Sequence, residues 1–385
     1  MKSILLVLSL LALNACTPMP EPASANVEGF QAVRAYMSEQ VETSEVPNAI
    51  GLVSKNGQIV FEAAMGQISD KQPAQLDTIV RLDSLTKPIT AAAVLMLVDD
   101  GKLKLSDPVS KYIPAFENIR VGDGASIPTR SITIHDLLTH TAGLAGYSPE
   151  VDALWDSDSN LEFANGIAAL PLRHNPGEGF QYGNAYEVLP AVVAQVSGLK
   201  FEEFVAARIL RPLGMSDTSF IVPNNKRDRY SSLYSKNESG ELVIMSQPSD
   251  PETEKFASGG GGLKSTVKDF HKFATMLMNK GRYDGREVLS AQAFDSMTKM
   301  QVNPNLPGAW QGARGWGYGM AVTYRAKEDE FRSIGSFGWN GGLGTMFFVD
   351  PEKKLIGIIF TQIHFSNPHE LREGFERLVY RTVTG

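Results

Sequence analysis

The sequence has little cysteine, little histidine and, after its N-terminus, no long apolar run. Cys16 is the only cysteine among 385 residues, so no disulfide can form within the chain. No stretch after residue 15 approaches the roughly 20 uninterrupted apolar residues of a transmembrane helix. Acidic residues outnumber basic ones and give a formal net charge of -7. That balance argues against a nucleic-acid partner, which would favour a basic face.

The scarce histidines also argue against a metal centre. His135 and His140 lie five residues apart without a matching carboxylate motif, so we assign them structural roles and expect neither metal nor cofactor. The tryptophans are less informative. Trp155, Trp310 and Trp316 either line a cleft or belong to the core, and the pattern does not separate these alternatives.

Residues 1–15 are predicted to be a secretory signal peptide. Lys2 precedes the apolar stretch from Ile4 to Leu13, and small residues follow it. The segment ending at Cys16 resembles a bacterial lipobox, which implies a lipidated Cys16 and a tether over residues 16–27. We therefore expect an exported, periplasmic lipoprotein, held on the outer membrane in a Gram-negative cell. The alternative is plain cleavage near Ala15, which would release a soluble periplasmic protein.

Apolar periodicity predicts strands near both ends of the chain and helices between them. A helix is expected over 28–41, a hairpin around Asn56-Gly57, a strand over 78–82 and a fully buried helix over 84–100. Helices follow in the middle, then strands over 319–324, 344–349 and 355–361 and a closing helix over 370–383. The fold class is α/β, with one antiparallel sheet built from both chain ends and flanked by helices. We expect a single catalytic domain over 28–385, with an α/β part (about 28–83 and 311–385) and an inserted, mainly helical part (about 84–310).

The first chemical motif is Ser84-Leu85-Thr86-Lys87. Serine and lysine three apart on a helix share one face, so the amine can accept the hydroxyl proton. The predicted burial of the helix should lower the pKa of Lys87 and make it a base. The pattern alone decides nothing, because Ser-x-x-Lys occurs four times: Ser84/Lys87, Ser197/Lys200, Ser265/Lys268 and Ser296/Lys299. Only Ser84 opens a long buried helix directly after a predicted strand; the alternative is a capping serine with a surface lysine.

Two further motifs could complete a serine hydrolase site. Tyr182-Gly183-Asn184 offers a phenol to shuttle a proton and an amide to hold a carbonyl or the lysine, although a buried structural tyrosine fits as well. The glycine-rich segment 337–344 precedes a predicted strand and could let substrate lie along the backbone. A backbone N–H there could join that of Ser84 as an oxyanion hole; otherwise the segment is a turn.

Taken together, the motifs resemble those of the class C serine β-lactamases and their penicillin-binding-protein-like relatives. The resemblance runs in family order through nearly the whole mature chain, over the segments 81–90, 101–109, 134–144, 176–184, 211–215 and 259–266. It implies a β-lactamase/transpeptidase-like fold. It further implies that Ser84 is the acylated nucleophile, Lys87 its general-base partner and Tyr182 a second acid/base group. Asn184 would contact substrate or lysine, and the N–H groups of Ser84 and Gly342 would form the oxyanion hole.

One departure from the family pattern bears on the substrate. Class C β-lactamases have Lys-Thr-Gly where this chain has Trp339-Asn340-Gly341, so the cation for a β-lactam carboxylate is missing there. Trp-x-Gly resembles the family VIII carboxylesterases instead. We therefore expect hydrolysis of a small-molecule carboxylic ester, without metal or cofactor. The alternatives are a β-lactamase or D-amino-acid peptidase acting on cell-wall-derived substrates, and an idle binding protein on this fold. The oligomeric state is not predicted.

Overall fold

The structure is a computed structural model that describes residues 29–70, 72–124, 126–249, 255–327, 331–364 and 369–384. The expected signal peptide, Cys16 and the tether lie outside the described residues. Within them, no helix is long and apolar enough to cross a membrane.

The helices begin and end as follows: α1 Gln31–Glu42, α2 Thr86–Asp99, α3 Ile134–Leu138, α4 Pro149–Asp152, α5 Asn160–Ala168, α6 Ala185–Ser197, α7 Phe201–Val205, α8 Arg211–Leu213, α9 Val267–Met278, α10 Ala291–Met297 and α11 His369–Thr384. The strands are β1 Asn48–Lys55, β2 Gln58–Ser69, β3 Gln72–Pro73, β4 Val80–Arg81, β5 Leu233–Lys236, β6 Leu242–Ser246, β7 Lys264–Ser265, β8 Arg282–Tyr283, β9 Arg286–Glu287, β10 Arg314–Trp316, β11 Ala321–Thr323, β12 Phe337–Asn340, β13 Met346–Asp350, β14 Leu355–Phe360 and β15 Ile363–His364.

One large antiparallel sheet joins the two ends of the chain. Its strand order in the described residues is β10-β11-β12-β13-β14-β1-β2-β3, so β1 pairs with β2 on one side and with β14 on the other. The hairpin at Asn56-Gly57 forms as predicted, and both residues have the positive φ that its turn requires. The expectation of a sheet built from both ends and flanked by helices is confirmed.

Alternating side chains bury both faces of this sheet. Ile50, Leu52, Phe347, Val349 and Ile358 pack into the core on the face covered by α9, whereas their neighbours Ala49, Val53, Met346, Phe348 and Ile359 pack beneath α1 and α11. Because successive strand residues point to opposite faces, strands buried on both sides carry apolar residues at nearly every position. That is why the pattern over β14 is continuous rather than alternating.

Several short strands were not predicted, or were predicted with other bounds. The expected strand over 78–82 has only Val80–Arg81 in strand geometry, and it pairs with β7 rather than with a strand of the large sheet. The segment Phe337–Asn340, expected to precede a strand, is itself strand β12. The hairpin of β5 and β6 lies within the part expected to be mainly helical. Strands of two to five residues are too short for alternation to be recognised in the sequence.

Candidate active site

Ser84 lies in a tight turn, Asp83–Leu85, that leads directly into α2. Every residue of α2 from Thr86 to Leu97 is buried. The first turn of this helix is anchored by its own hydroxyls: Thr86 Oγ1 accepts from the Leu263 N–H at 3.1 Å, and Thr90 Oγ1 donates to the Gly259 carbonyl at 2.7 Å. The nucleophile candidate is therefore fixed at the start of a rigid central helix, next to the glycine-rich segment 259–262.

Lys87 meets Ser84 as the three-residue spacing predicts. Its Nζ lies 3.1 Å from Ser84 Oγ and donates to the Gly260 carbonyl at 2.8 Å. The lysine is only 5% exposed, yet its pKa is raised, not lowered as we had expected. Burial does oppose the ammonium, but the electrostatic effects of Tyr182, Asp83 and Glu187 together outweigh it. Burial was predicted correctly; the anionic surroundings were not.

Glu187 provides part of those surroundings, and sequence reasoning missed it. This carboxylate on α6 is buried, and its Oε1 accepts from Ser258 Oγ and from the Gly260 N–H, each at 3.0 Å. Its Oε2 is buried without a hydrogen-bond partner, and burial raises its pKa. Gly260 thus links the Glu187 carboxylate to the Lys87 ammonium. Its N–H donates to Glu187 Oε1, and its carbonyl accepts from Lys87 Nζ. A lone carboxylate in an otherwise apolar helical segment was the available signal.

Tyr182 lies in the loop before α6, across the cleft from Ser84. Lys87 Nζ is 4.7 Å from the centroid of the Tyr182 ring, and the Tyr182 hydroxyl accepts from Trp339 Nε1 at 3.2 Å. Asn184 is buried at the N-cap of α6, and its Nδ2 donates to the Ala145 carbonyl at 2.9 Å. In this structure the Asn184 amide therefore holds a neighbouring loop, and the contact with substrate or lysine stays a prediction.

The third motif lies between Tyr182 and the Asp83–Leu85 turn and contacts both. Trp339 and Asn340 end β12, and β11 pairs only with Phe337 and Gly338 of that strand. Gly341 closes the following turn through its N–H to the Thr345 carbonyl at 2.7 Å. The next N–H, that of Gly342, donates to the carboxylate of Asp83. The expected oxyanion-hole donor is therefore in the cleft but already has an acceptor.

A cluster of aromatic side chains packs against Trp339. Trp339 stacks on Trp310 at 5.4 Å between ring centroids and meets Trp316 edge-on at 4.7 Å. Of the three undecided tryptophans, Trp316 is fully buried in the core, and Trp310 is partly buried and packs against it. Trp155 instead packs on Phe256 and Phe163, outside this cluster.

His140 packs among the same aromatic rings. Its ring centroid lies 4.6 Å from that of Tyr182 and 5.1 Å from that of Trp316. Burial, with the positive charge of Lys87, holds its pKa well below the ordinary value, so the ring is neutral. No group of three or more metal-ligating side chains occurs among the described residues. The arrangement fits the structural role that we expected for His140.

The other Ser-x-x-Lys patterns do not form such pairs. Lys200, Lys268 and Lys299 are exposed. The serines bond elsewhere: Ser265 to Thr218 at 2.7 Å, Ser296 to the Gln292 carbonyl at 2.9 Å and Ser197 to the Leu199 backbone. Only context, and not the four-residue pattern, distinguishes Ser84 from them.

Comparison with known proteins agrees with the fold. A family model described as Beta-lactamase matches residues 33–380. Protein Rv1367c of Mycobacterium tuberculosis is 33% identical over 88% of this chain and 90% of its own length. Esterase EstB of Burkholderia gladioli is 29% identical over 85% of this chain and 88% of its own. The solved structure of EstCE1, a hydrolase with promiscuous acyltransferase activity, superposes with a TM-score of 0.79 at 22% identity and covers 93% of this chain and 99% of that one. The predicted fold and family resemblance are thereby confirmed.

Proposed function

The chain belongs to the Beta-lactamase family, and on that basis we propose that it is a serine hydrolase that cleaves small carboxylic esters through an acyl-Ser84 intermediate. The observation that carries this proposal is the contact of Ser84 Oγ with Lys87 Nζ at 3.1 Å, at the start of a buried helix and beside the Tyr182 ring. The similarity to Esterase EstB supports an ester as the substrate.

In the proposed acylation, Ser84 Oγ attacks the ester carbonyl carbon while its proton passes to the Lys87/Tyr182 pair. The carbonyl oxygen becomes an oxyanion, stabilised by the backbone N–H groups of Ser84 and Gly342. The tetrahedral intermediate then expels the alcohol, which takes the proton from the same pair. The raised pKa of Lys87 leaves the free amine as a minor form at neutral pH, so acylation should accelerate as the pH rises.

In the proposed deacylation, a water molecule takes the place of the alcohol. It gives a proton to the Lys87/Tyr182 pair and attacks the acyl carbon, and collapse of the second tetrahedral intermediate returns the proton to Ser84 Oγ. The carboxylic acid then leaves. No metal or cofactor enters either half-reaction.

The Trp339 indole supports an ester, rather than an antibiotic, as the substrate. The indole is half-buried, stacks on Trp310 and donates its N–H to Tyr182, so it offers an apolar face where a cation would have to bind a substrate carboxylate. An apolar acyl or alkoxy group gains by covering such a surface, at about 25 cal/mol per Å² of apolar area. An anionic β-lactam would leave its carboxylate without a partner at this position.

The test compares the mature protein with Ser84→Ala on p-nitrophenyl butyrate, a chromogenic cephalosporin and a D-alanyl peptide. We expect turnover of the ester, loss of that turnover in Ser84→Ala, and a mass increase on the peptide containing Ser84 after rapid acid quenching. Equal ester turnover in both proteins would refute Ser84 as the nucleophile. Preferential turnover of the cephalosporin or the peptide would favour the cell-wall alternatives, and no adduct with any donor would favour an idle protein.

We further propose that the protein is exported and anchored through a lipid on Cys16. The support is the sequence pattern of residues 1–16 alone. Membrane fractionation and mass spectrometry of the N-terminal peptide should find acyl chains on the wild-type protein, and Cys16→Ala should move the protein to the soluble periplasmic fraction. If the wild-type protein is unmodified and soluble, the lipid anchor is refuted and ordinary cleavage near Ala15 is favoured.

A further inference from the structure

The side chain of Asp83, the residue before Ser84, extends to the turn that follows β12. Its backbone has φ of 49°, in the left-handed region that side-chain-bearing residues seldom adopt. Its carboxylate accepts the N–H of Gly342, which lies 259 residues further along the chain in the turn between β12 and β13. Gly342 is exposed and Asp83 half-buried, so this hydrogen bond lies where a substrate can reach it.

Two glycines leave the space that the Asp83 carboxylate fills. A Cβ atom on Gly342 would lie 2.7 Å from Oδ2, and one on Gly261 would lie 3.1 Å from Oδ1. A side chain at Gly342 would collide with the carboxylate, and one at Gly261 would crowd it. The carboxylate thus occupies a slot between the two glycine segments that flank the nucleophile.

This slot coincides with the proposed oxyanion hole. A hydrogen bond to an ionised acceptor is roughly twice as strong as one between neutral groups, so Asp83 competes directly with the substrate carbonyl for the Gly342 N–H. The carbonyl oxygen must displace the carboxylate before the tetrahedral intermediate can be stabilised. Because Asp83 adjoins Ser84 in the chain, its negative charge stays beside the acyl group after displacement.

Two cations lie near Asp83, and each already makes hydrogen bonds within the site. Asp83 acts electrostatically on Lys87 and Arg372. Lys87 already donates to Ser84 and Gly260, and the buried Arg372 donates to the Gly341 carbonyl at 2.9 Å.

We propose that Asp83 is a specificity-determining residue that selects against acyl donors carrying a negative charge near the scissile carbonyl. A neutral acyl donor has only to displace the Asp83 carboxylate from the Gly342 N–H. A cationic acyl donor is in addition attracted by the charge of that carboxylate. The inference rests on the proposed ester hydrolysis at Ser84 and adds the substrate class that this site accepts.

The experiment uses three esters with acyl chains of equal length: p-nitrophenyl hexanoate (neutral), mono-p-nitrophenyl adipate (anionic) and p-nitrophenyl 6-aminohexanoate (cationic). The kcat/KM of each is measured for the wild type and for Asp83→Asn, which keeps the shape and removes the charge. Asp295→Asn, which removes an exposed carboxylate on α10, is the matched control.

We expect Asp83→Asn to raise the adipate-to-hexanoate ratio of kcat/KM about tenfold, the factor for two like charges roughly 12 Å apart at an effective dielectric constant of about 20. The aminohexanoate-to-hexanoate ratio should fall, and Asp295→Asn should change neither. Unchanged ratios in Asp83→Asn would overturn the inference while leaving ester hydrolysis intact. Absence of Ser84-dependent turnover of all three esters would instead refute the proposed function, and the inference with it.

A second measurement needs no variant. If Asp83 discriminates by charge, the wild-type preference for hexanoate over adipate should shrink as salt rises from 0.01 to 1 M, because the Debye length falls from about 30 to about 3 Å. A preference that is independent of salt would contradict the inference even if Asp83→Asn failed to fold.

Discussion

Replacing Glu187 by glutamine should shift the pH dependence of catalysis toward lower pH. The substitution keeps the shape of the side chain and an acceptor for Ser258 and Gly260, but it removes the charge. A Cβ atom on Gly260 would lie 2.2 Å from Glu187 Oε1 and 3.4 Å from Lys87 Nζ, so the two charges are less than about 6 Å apart. Glu187 is one of the groups that raise the pKa of Lys87, so its neutralisation should lower that pKa.

The geometry sets the size of the shift. Two unit charges about 6 Å apart interact by about 3 kcal/mol at an effective dielectric constant of about 20. One pKa unit corresponds to about 1.4 kcal/mol, so the rising limb of kcat/KM should move down by about two pH units. Burial raises the pKa of Glu187, while the charge of Lys87 and the hydrogen bonds from Ser258 and Gly260 oppose that rise. The rate at pH 7 should rise less than the amine population does, because a weaker base accepts a proton less readily.

The assay is kcat/KM for p-nitrophenyl hexanoate between pH 6 and 10, corrected for spontaneous hydrolysis. Glu352→Gln, an exposed substitution in the turn between β13 and β14, is the matched control and should leave the profile unchanged. A Glu187→Gln profile that superimposes on the wild-type profile, in a protein of unchanged melting temperature, would refute the reasoning. Either Lys87 would then not be the titrating base, or the charge of Glu187 would not reach it.

Three further substitutions test other parts of the structure. Gly260→Ala should lower kcat at least about a hundredfold with a smaller change in KM, because its methyl group would lie 2.2 Å from Glu187 Oε1 and would shift the Gly260 carbonyl that holds Lys87; near-wild-type kcat would contradict this packing. Trp339→Phe keeps the aromatic stack but removes the N–H donated to Tyr182, a hydrogen bond of about 1 kcal/mol, so kcat should fall about fivefold, and an unchanged kcat would make that bond irrelevant. Glu376→Gln should lower the free energy of unfolding by about 3 kcal/mol in urea titrations, because the buried Arg332 loses its ion-pair partner; an unchanged midpoint would mean that the cation is stabilised without it.

The parts of the site that sequence reasoning recovered are those encoded by local periodicity. A continuous apolar run predicted that α2 is buried, and the three-residue spacing predicted that Ser84 and Lys87 meet on its first turn. Both follow from helix geometry, which needs only neighbouring residues. The large sheet was recovered for the same reason, since β1, β2 and β14 are long enough to display their pattern.

The pKa of Lys87 shows where local reasoning fails. Burial within α2 is a local property and was predicted, but the sign of the shift depends on Tyr182 and Glu187, about 100 residues away in sequence. The periodicity of the sequence does not indicate that Tyr182 and Glu187 both lie close to the Lys87 ammonium. Where several opposing effects meet at one buried group, only their geometry decides which is larger.

Asp83, the residue next to the nucleophile, is a second case in which local sequence does not reveal the contact that matters. It stands inside the motif that identified Ser84, yet its chemical identity does not reveal that its φ is positive or that its carboxylate reaches Gly342. The family resemblance assigned the Gly342 N–H to the substrate, whereas the structure gives it an acceptor from within the chain. The Asp83 carboxylate must leave the Gly342 N–H before the carbonyl of an acyl donor can bind there. The charge of the acyl donor therefore affects formation of the tetrahedral intermediate as well as binding. Asp83 and Trp339 then both disfavour anions at this site, Asp83 by repulsion and Trp339 because it stands where a cation would be needed.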